Sequence, residues 1–143
     1  MKDDSLRGIR VMEKWELGMK KKSLIIPYHN GEIWCEHLDA LGDKKELLKE
    51  KLSKDMIGFD KPSITSSMII ILDETQVGLE VFEYIWKTLS EVKKPIRKLA
   101  FTGLDRKSEK LIRKRKEEIN CPIKCFNDLE KAKEWITSNL SGI

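Results

Sequence analysis

Asp73 and Glu74 follow directly on an apolar run, Met68-Ile-Ile-Ile-Leu72. Open α/β sheets gather their ligand-binding groups at that end of a strand. Asp39 and Asp105, each placed after its own apolar stretch, could approach the same edge. Clustered carboxylates of this kind can hold a magnesium ion for phosphoryl transfer. Acidic residues at helix starts also favour the helix macrodipole, and that reading is preferred, because no lysine or nucleophile accompanies these four. His29 and His37 are the only histidines. His29 falls in a turn, and His37, beside Glu36, would serve as a base only next to a nucleophile that no motif supplies. Cys121 and Cys125 are four apart without a second Cys/His pair to complete a zinc site. Cys35 and Cys125 lie in predicted strands, where a thiol packs as a small hydrophobe. Three unpaired cysteines suit a reducing compartment. The chain has no Gly-x-Gly-x-x-Gly, no Walker-type loop and no Gly-x-Ser-x-Gly, and Gly103 reads as a turn glycine. The expectation is a protein without catalytic residues, metal or cofactor.

Charge is the feature that stands out. The net charge is only +4, yet Lys93–Lys116 holds eleven basic residues against Asp105 and Glu109. The preceding stretch Asp73–Glu91 holds five acidic residues against Lys87 alone. Arg106, Lys107, Lys110, Arg113, Lys114, Arg115 and Lys116 fall on one predicted helix, with Lys93, Lys94, Arg97 and Lys98 adding charge nearby. A patch like this can track phosphates on nucleic acid or a membrane surface. The aromatics that a single-strand binder interleaves with its cations are missing, so DNA is not expected and an acidic protein surface is preferred.

The elements that must hold these residues are legible along the chain. Ser23–Tyr28 and Ile33–Leu38 read as strands joined by a turn, His29-Asn-Gly-Glu32, in which Asn30-Gly31 is the hairpin signal. Pro27 cannot donate to a ladder, which sends the first strand to an edge. Asp43, with Glu46 three residues on, predicts a capped helix bearing Leu47, Leu48, Leu52, Met56 and Ile57 and ending at Gly58. A loop spans 58–67. Met68–Leu72 reads as a strand buried on both faces. A second helix over 78–92 turns Leu79, Phe82, Ile85, Trp86 and Leu89 inward. Lys98–Thr102 is the next strand, Asp105 opens the basic helix, and Pro122–Phe126 is an edge strand. Asp128 caps a last helix with Leu129, Ala132, Trp135, Ile136 and Leu140. Repeated βα units demand a largely parallel sheet.

With 143 residues there is room for one core. Residues 1–22 show no clean period and read as a partly ordered N-terminal extension from which Trp15 could dock. The longest apolar run is far below the ~20 residues a bilayer requires, and the polar start Met1-Lys-Asp-Asp-Ser-Leu-Arg is unlike a signal peptide. A cytoplasmic protein without a transmembrane segment is expected.

Over residues 23–140 the chain resembles the STAS domains, which include bacterial anti-sigma-factor antagonists and the SpoIIAA-like proteins. The likeness rests on the hairpin and on Leu38-Asp-Ala40 running into Glu46-Leu-Leu-Lys-Glu-Lys-Leu52. It continues through Ile69-Ile-Ile-Leu-Asp73, Lys98-Leu-Ala-Phe-Thr-Gly-Leu104 and Cys125-Phe-Asn-Asp-Leu-Glu-Lys-Ala-Lys-Glu-Trp135. The resemblance implies an α/β domain with a mixed, largely parallel four- to five-stranded sheet, an N-terminal β-hairpin and four helices. It also implies a regulatory protein-binding role. Family members in sigma-factor switches carry a phosphorylated serine in an Asp-Ser-Ser-Gly-like sequence after the third strand. The corresponding stretch here is Asp73-Glu-Thr-Gln-Val-Gly78, where Thr75 is the sole hydroxyl and its acidic neighbours would repel a phosphate.

The expected contact surface therefore comprises Thr75, Glu80 and Glu83 together with Arg106, Lys107, Lys110, Arg113, Lys114 and Lys116. Thr75 is the candidate phosphorylation site, with a turn or cap role preferred. The opposed charges of the second and third helices would also allow self-association. The alternative from another class is a small-ligand or lipid carrier, as in SEC14-like relatives, which would need an apolar pocket beneath the 58–67 loop.

Overall fold

A computed structural model describes residues 23–29, 31–62 and 64–138. The expected N-terminal extension with Trp15, and Leu140 at the other end, lie outside these residues. The elements are β1 (Leu24–Tyr28), β2 (Gly31–His37), α1 (Lys45–Phe59), β3 (Ser67–Ile71) and α2 (Leu79–Ser90). They continue with β4 (Lys98–Thr102), α3 (Arg106–Arg115) with a 3-10 turn at Lys116–Glu118, β5 (Ile123–Phe126) and α4 (Leu129–Ile136).

Spatial order in the sheet follows chain order, β1-β2-β3-β4-β5. β1 runs antiparallel to β2, and the remaining neighbours are parallel. From β2 onward each crossover steps in the same direction, and right-handed connections then place α1, α2 and α3 on one face. The packing agrees. Leu48, Leu52, Phe82, Trp86 and Ile112 meet Trp34, Met68, Ile70, Leu99 and Phe101 on that face. α4 follows the last strand and covers the opposite face, setting Ala132 and Ile136 against Ile33, Cys35, Ile69, Ile71 and Ala100. β3, at the centre, is buried along its whole length, which is why its sequence is continuously apolar rather than alternating. Each fully buried Ile or Leu there contributes about 1.5–3 kcal/mol. Among the described residues, no helix is long and apolar enough to cross a membrane.

Several local expectations need correction. Tyr28 pairs with Gly31, so Gly31 already belongs to β2 rather than to the turn, and His29 takes the positive φ of 53°. Asp43 does not cap α1. Lys44 occupies that position without a side-chain bond, because a tight turn (Lys44 N–H to Leu41 carbonyl, 3.1 Å) delays the helix. Gly58 does not end α1 either. The helix reaches Phe59, whose ring is fully buried 5.5 Å from the Trp34 ring, edge to face. Ile57 and Leu79 are 74% and 64% exposed, not inward. Lys51 and Phe59 on α1, and Val81 on α2, take the buried positions instead. Asp105 and Asp128 do cap α3 and α4, accepting the backbone N–H of Ser108 (2.9 Å) and Glu130 (2.9 Å).

Candidate interaction surface

The loops leaving β2, β3 and β4 are tied to one another at the C-terminal edge of the sheet. Ala40 N–H donates to the Asp73 carbonyl (2.7 Å), Gly42 N–H to Glu74 (3.0 Å) and Gln76 N–H back to Gly42 (2.8 Å). Thr75 closes the clasp: its hydroxyl donates to the Leu38 carbonyl (2.6 Å) and accepts the Leu41 N–H (3.1 Å). A phosphate on Thr75 would break both bonds. Ala40 and Glu74 hold positive φ (61° and 59°) to make these turns. Gly103, at φ +82°, lies so close to the Asp73 backbone that a Cβ would stand 2.4 Å from its nitrogen. A side chain there would both clash and strain the backbone. The carboxylates named from sequence go to separate duties. Asp73 accepts the Thr102 hydroxyl (2.8 Å), Asp39 meets His37 Nδ1 (3.2 Å), and Asp105 caps α3. Among the described residues no group of three or more His, Cys, Asp or Glu could hold a metal ion.

α2 and α3 treat their charges in opposite ways. Glu80 accepts Lys45 (2.9 Å) and Lys49 (2.6 Å) from α1, bonds that hold its carboxyl down at about 2. Glu83 pairs with Arg115, which also binds Glu118 (3.1 Å) and lies 5.9 Å from the rings of Phe82 and Trp86. Glu80 and Glu83, two of the acids expected to offer charge outward, are thus each paired with a cation at the surface of the fold. Arg106, Lys107, Lys110, Arg113, Lys114 and Lys116 are exposed and make no hydrogen bond or ion pair with a described residue. Several of them are i,i+3 or i,i+4 neighbours, a spacing at which like charges destabilise a helix. Arg106 and Lys107 in addition sit in the first turn, at the positive end of the macrodipole. Ile112 and Ser108 on α3 are buried and Glu109, Leu111 and Arg115 are part-buried, so the exposed cations share the outward face.

Of the basic residues ahead of α3, Lys93 and Arg97 are exposed, whereas Lys94 and Lys98 turn inward. Lys94 donates to the carbonyls of Lys61, Ile64 and Thr65 and stands 4.2 Å over the Phe59 ring. The backbone N–H groups of Lys93 and Lys94 are held by Asp60. Lys98 is fully buried, donating to the Trp135 carbonyl (2.7 Å) and to the carbonyl (3.1 Å) and hydroxyl (3.0 Å) of Ser138. A second buried polar group, Glu36, accepts the Trp34 indole N–H (2.8 Å) while its Oε2 has no hydrogen-bond partner among the described residues. Burial, and then the Asp55 carboxylate, push the Glu36 carboxyl well above its usual range. Burial likewise raises the Cys35 and Cys121 thiols to about 11 and Cys125 to about 12, far from thiolate at neutral pH. Alternation along β2 carried a signal for Glu36, since it shares a face with Trp34 and Leu38. Lys98 carried one as the charged first residue of an otherwise apolar strand.

The cleft bordering the loop before β3, about 920 Å³, sets Ile64 and Ile136 among His29, Glu32, Arg97 and Glu134, a lining more polar than a lipid carrier's pocket usually has. A second cleft, about 840 Å³, opens between the turn after α3 and β5.

No family model, curated protein or solved structure matches this chain. Its surface chemistry has to speak for its role.

Proposed function

We propose that this protein is a non-catalytic regulatory module, STAS-like in kind, that binds an acidic partner protein through α3. The observation that carries this reading is the set of six exposed cations, Arg106, Lys107, Lys110, Arg113, Lys114 and Lys116, whose side chains have no partner among the described residues, while Glu80 and Glu83 on α2 are paired with other cations. A helix that accepts such repulsion in the free state gains when a complementary surface covers it. The mixed five-stranded sheet with its N-terminal hairpin supports the likeness to anti-sigma-factor antagonists. Regulation here would not use the family's phosphoserine, because Thr75, its nearest counterpart, spends its hydroxyl on the loop clasp. The module would act in the cytoplasm. Self-association of α2 on α3 would have to compete with the ion pairs that Glu80 and Glu83 already make.

Capture from native lysate tests this. The unaltered chain is expected to retain an acidic protein, lose it as salt is raised, and fail to retain it when Arg113, Lys114 and Lys116 are all replaced by Glu. An identical set of captured proteins for both chains removes α3 from the account.

A further inference from the structure

The cationic surface does not stop at the end of α3. Lys116 belongs both to the stripe and to the wall of the 840 Å³ cleft, whose other walls include Asn120, Pro122, Ile123, Lys124 and Trp135. Glu117 is the acid on its rim. Lys124 is exposed on β5, with its ammonium 5.9 Å from the Trp135 ring. The ring is set in place from behind. Phe126 lies 5.9 Å from it, and buried Lys98 stands 4.8 Å from its centre. Pro122, Ile123 and the half-buried Trp135 thus give the cleft a fixed apolar wall between two cations, Lys116 and Lys124. Beside it, β5 is the edge of the described sheet. Its outward backbone groups can pair with an extended chain.

We infer that this cleft receives an extended acidic segment of the α3 partner, anchored by one large apolar side chain against Trp135 and Pro122. The inference rests on the reading of α3 as the acidic partner's docking face. Acidic residues of the segment lie along Arg113, Lys114 and Lys116, the anchor fills the cleft, and Lys124 meets an acid beyond it. Charge along the stripe brings the partner on, and the anchor supplies the specificity that surface charge alone does not.

Two synthetic probes separate the parts, each titrated at low salt against the full chain while the Trp135 indole and Lys124 amide resonances are followed. One is an acetylated octapeptide of alternating Glu and Asp, and the other is the same peptide with Phe as its seventh residue, which leaves one acid beyond the anchor. The Phe peptide is expected to bind about tenfold tighter, the factor that about 1.4 kcal/mol of anchor burial corresponds to, and to shift both resonances. Lys124→Glu, an exposed change that should leave the fold intact, is expected to erase that tenfold gain. The same change should alter the affinity of the all-acidic peptide by less than about threefold. Arg113→Glu with Lys114→Glu is expected to weaken both peptides. If both peptides bind the unaltered chain equally, the cleft inference is overturned while the α3 reading stands. If neither binds at low salt, the α3 reading falls and the cleft with it.

Discussion

Lys98→Met should cost roughly 3 kcal/mol and loosen one end of the molecule before the rest. The methionine fills similar volume, so the loss comes from polar groups rather than from a cavity. The Lys98 ammonium, fully buried on β4, satisfies the carbonyls of Trp135 and Ser138 where α4 runs out of its own donors. Without it the Ser138 carbonyl loses this donor, the Trp135 carbonyl keeps only the N–H and hydroxyl of Ser138, and the Trp135 ring loses the cation 4.8 Å from its centre. Hydrogen exchange is the sensitive reading: amides of α4 should exchange faster, while those of β3, buried along its whole length, keep their order of protection. Uniform acceleration along the chain, or none, would show that Lys98 does not hold α4 to the sheet.

Glu36 offers the second large effect, and it has a pH signature. Glu36→Ala strands the Trp34 indole N–H in the core and opens space beside it, a loss of about 2–4 kcal/mol. Glu36→Gln keeps the shape and the acceptor for Trp34. The groups facing Glu36 are Asp55 and Lys51 from α1, with Ser23 bonded to both of those. Because the folded state holds the Glu36 proton to a higher pH than the unfolded chain does, stability is fully present below the unfolded value of about 4.3. It is lost as pH rises through the raised folded value. Glutamine does not titrate, so Glu36→Gln should match the unaltered protein in acid to within about 1 kcal/mol and overtake it as pH rises. Asp55, whose pKa is lowered in the fold against burial by its bonds to Glu36, Ser23 and Lys51, runs the other way, and repeating the comparison with Asp55→Asn in both proteins removes its share. Chemical denaturation at a series of pH values reads the difference. A variant that falls behind as pH rises would mean that Glu36 is ionised and paired in the fold.

The order of elements was legible because each announced itself locally. Met68–Leu72 is too apolar for a surface strand, Pro27 cannot sit inside a sheet, and Asp105 and Asp128 have the side chains that helix starts require. What failed depended on distance in the chain. The turn of Lys44 onto the Leu41 carbonyl, which delays α1, is local, but Leu41 itself is held by Thr75, 34 positions later. Nothing near Gly58 reveals that Phe59 is needed under Trp34. The surface was half legible for the same reason. Lysines and arginines on α3 can be counted from sequence, but their lack of partners cannot. Glu80 is taken by lysines 31 and 35 positions earlier, and Glu83 by an arginine 32 positions later. Lys94 and Lys98, read as surface charge, turn inward to carbonyls about 30–40 residues away in the chain.

Unfolding free energy against salt, compared between the unaltered chain and Lys107→Gln with Lys110→Gln, is the direct measure of whether α3 is uncompensated in the free protein. Glutamine has nearly the helix propensity of lysine, and the ion pairs of Glu80 and Glu83 are present in both chains and cancel. The double variant should be more stable by roughly 1 kcal/mol at low salt, from the like-charge neighbours it removes. The gap should close toward about 1 M salt, where charges more than about 3 Å apart are screened. A variant that is less stable at low salt would mean these lysines already have partners within the fold, and the case for α3 as a docking face would fail.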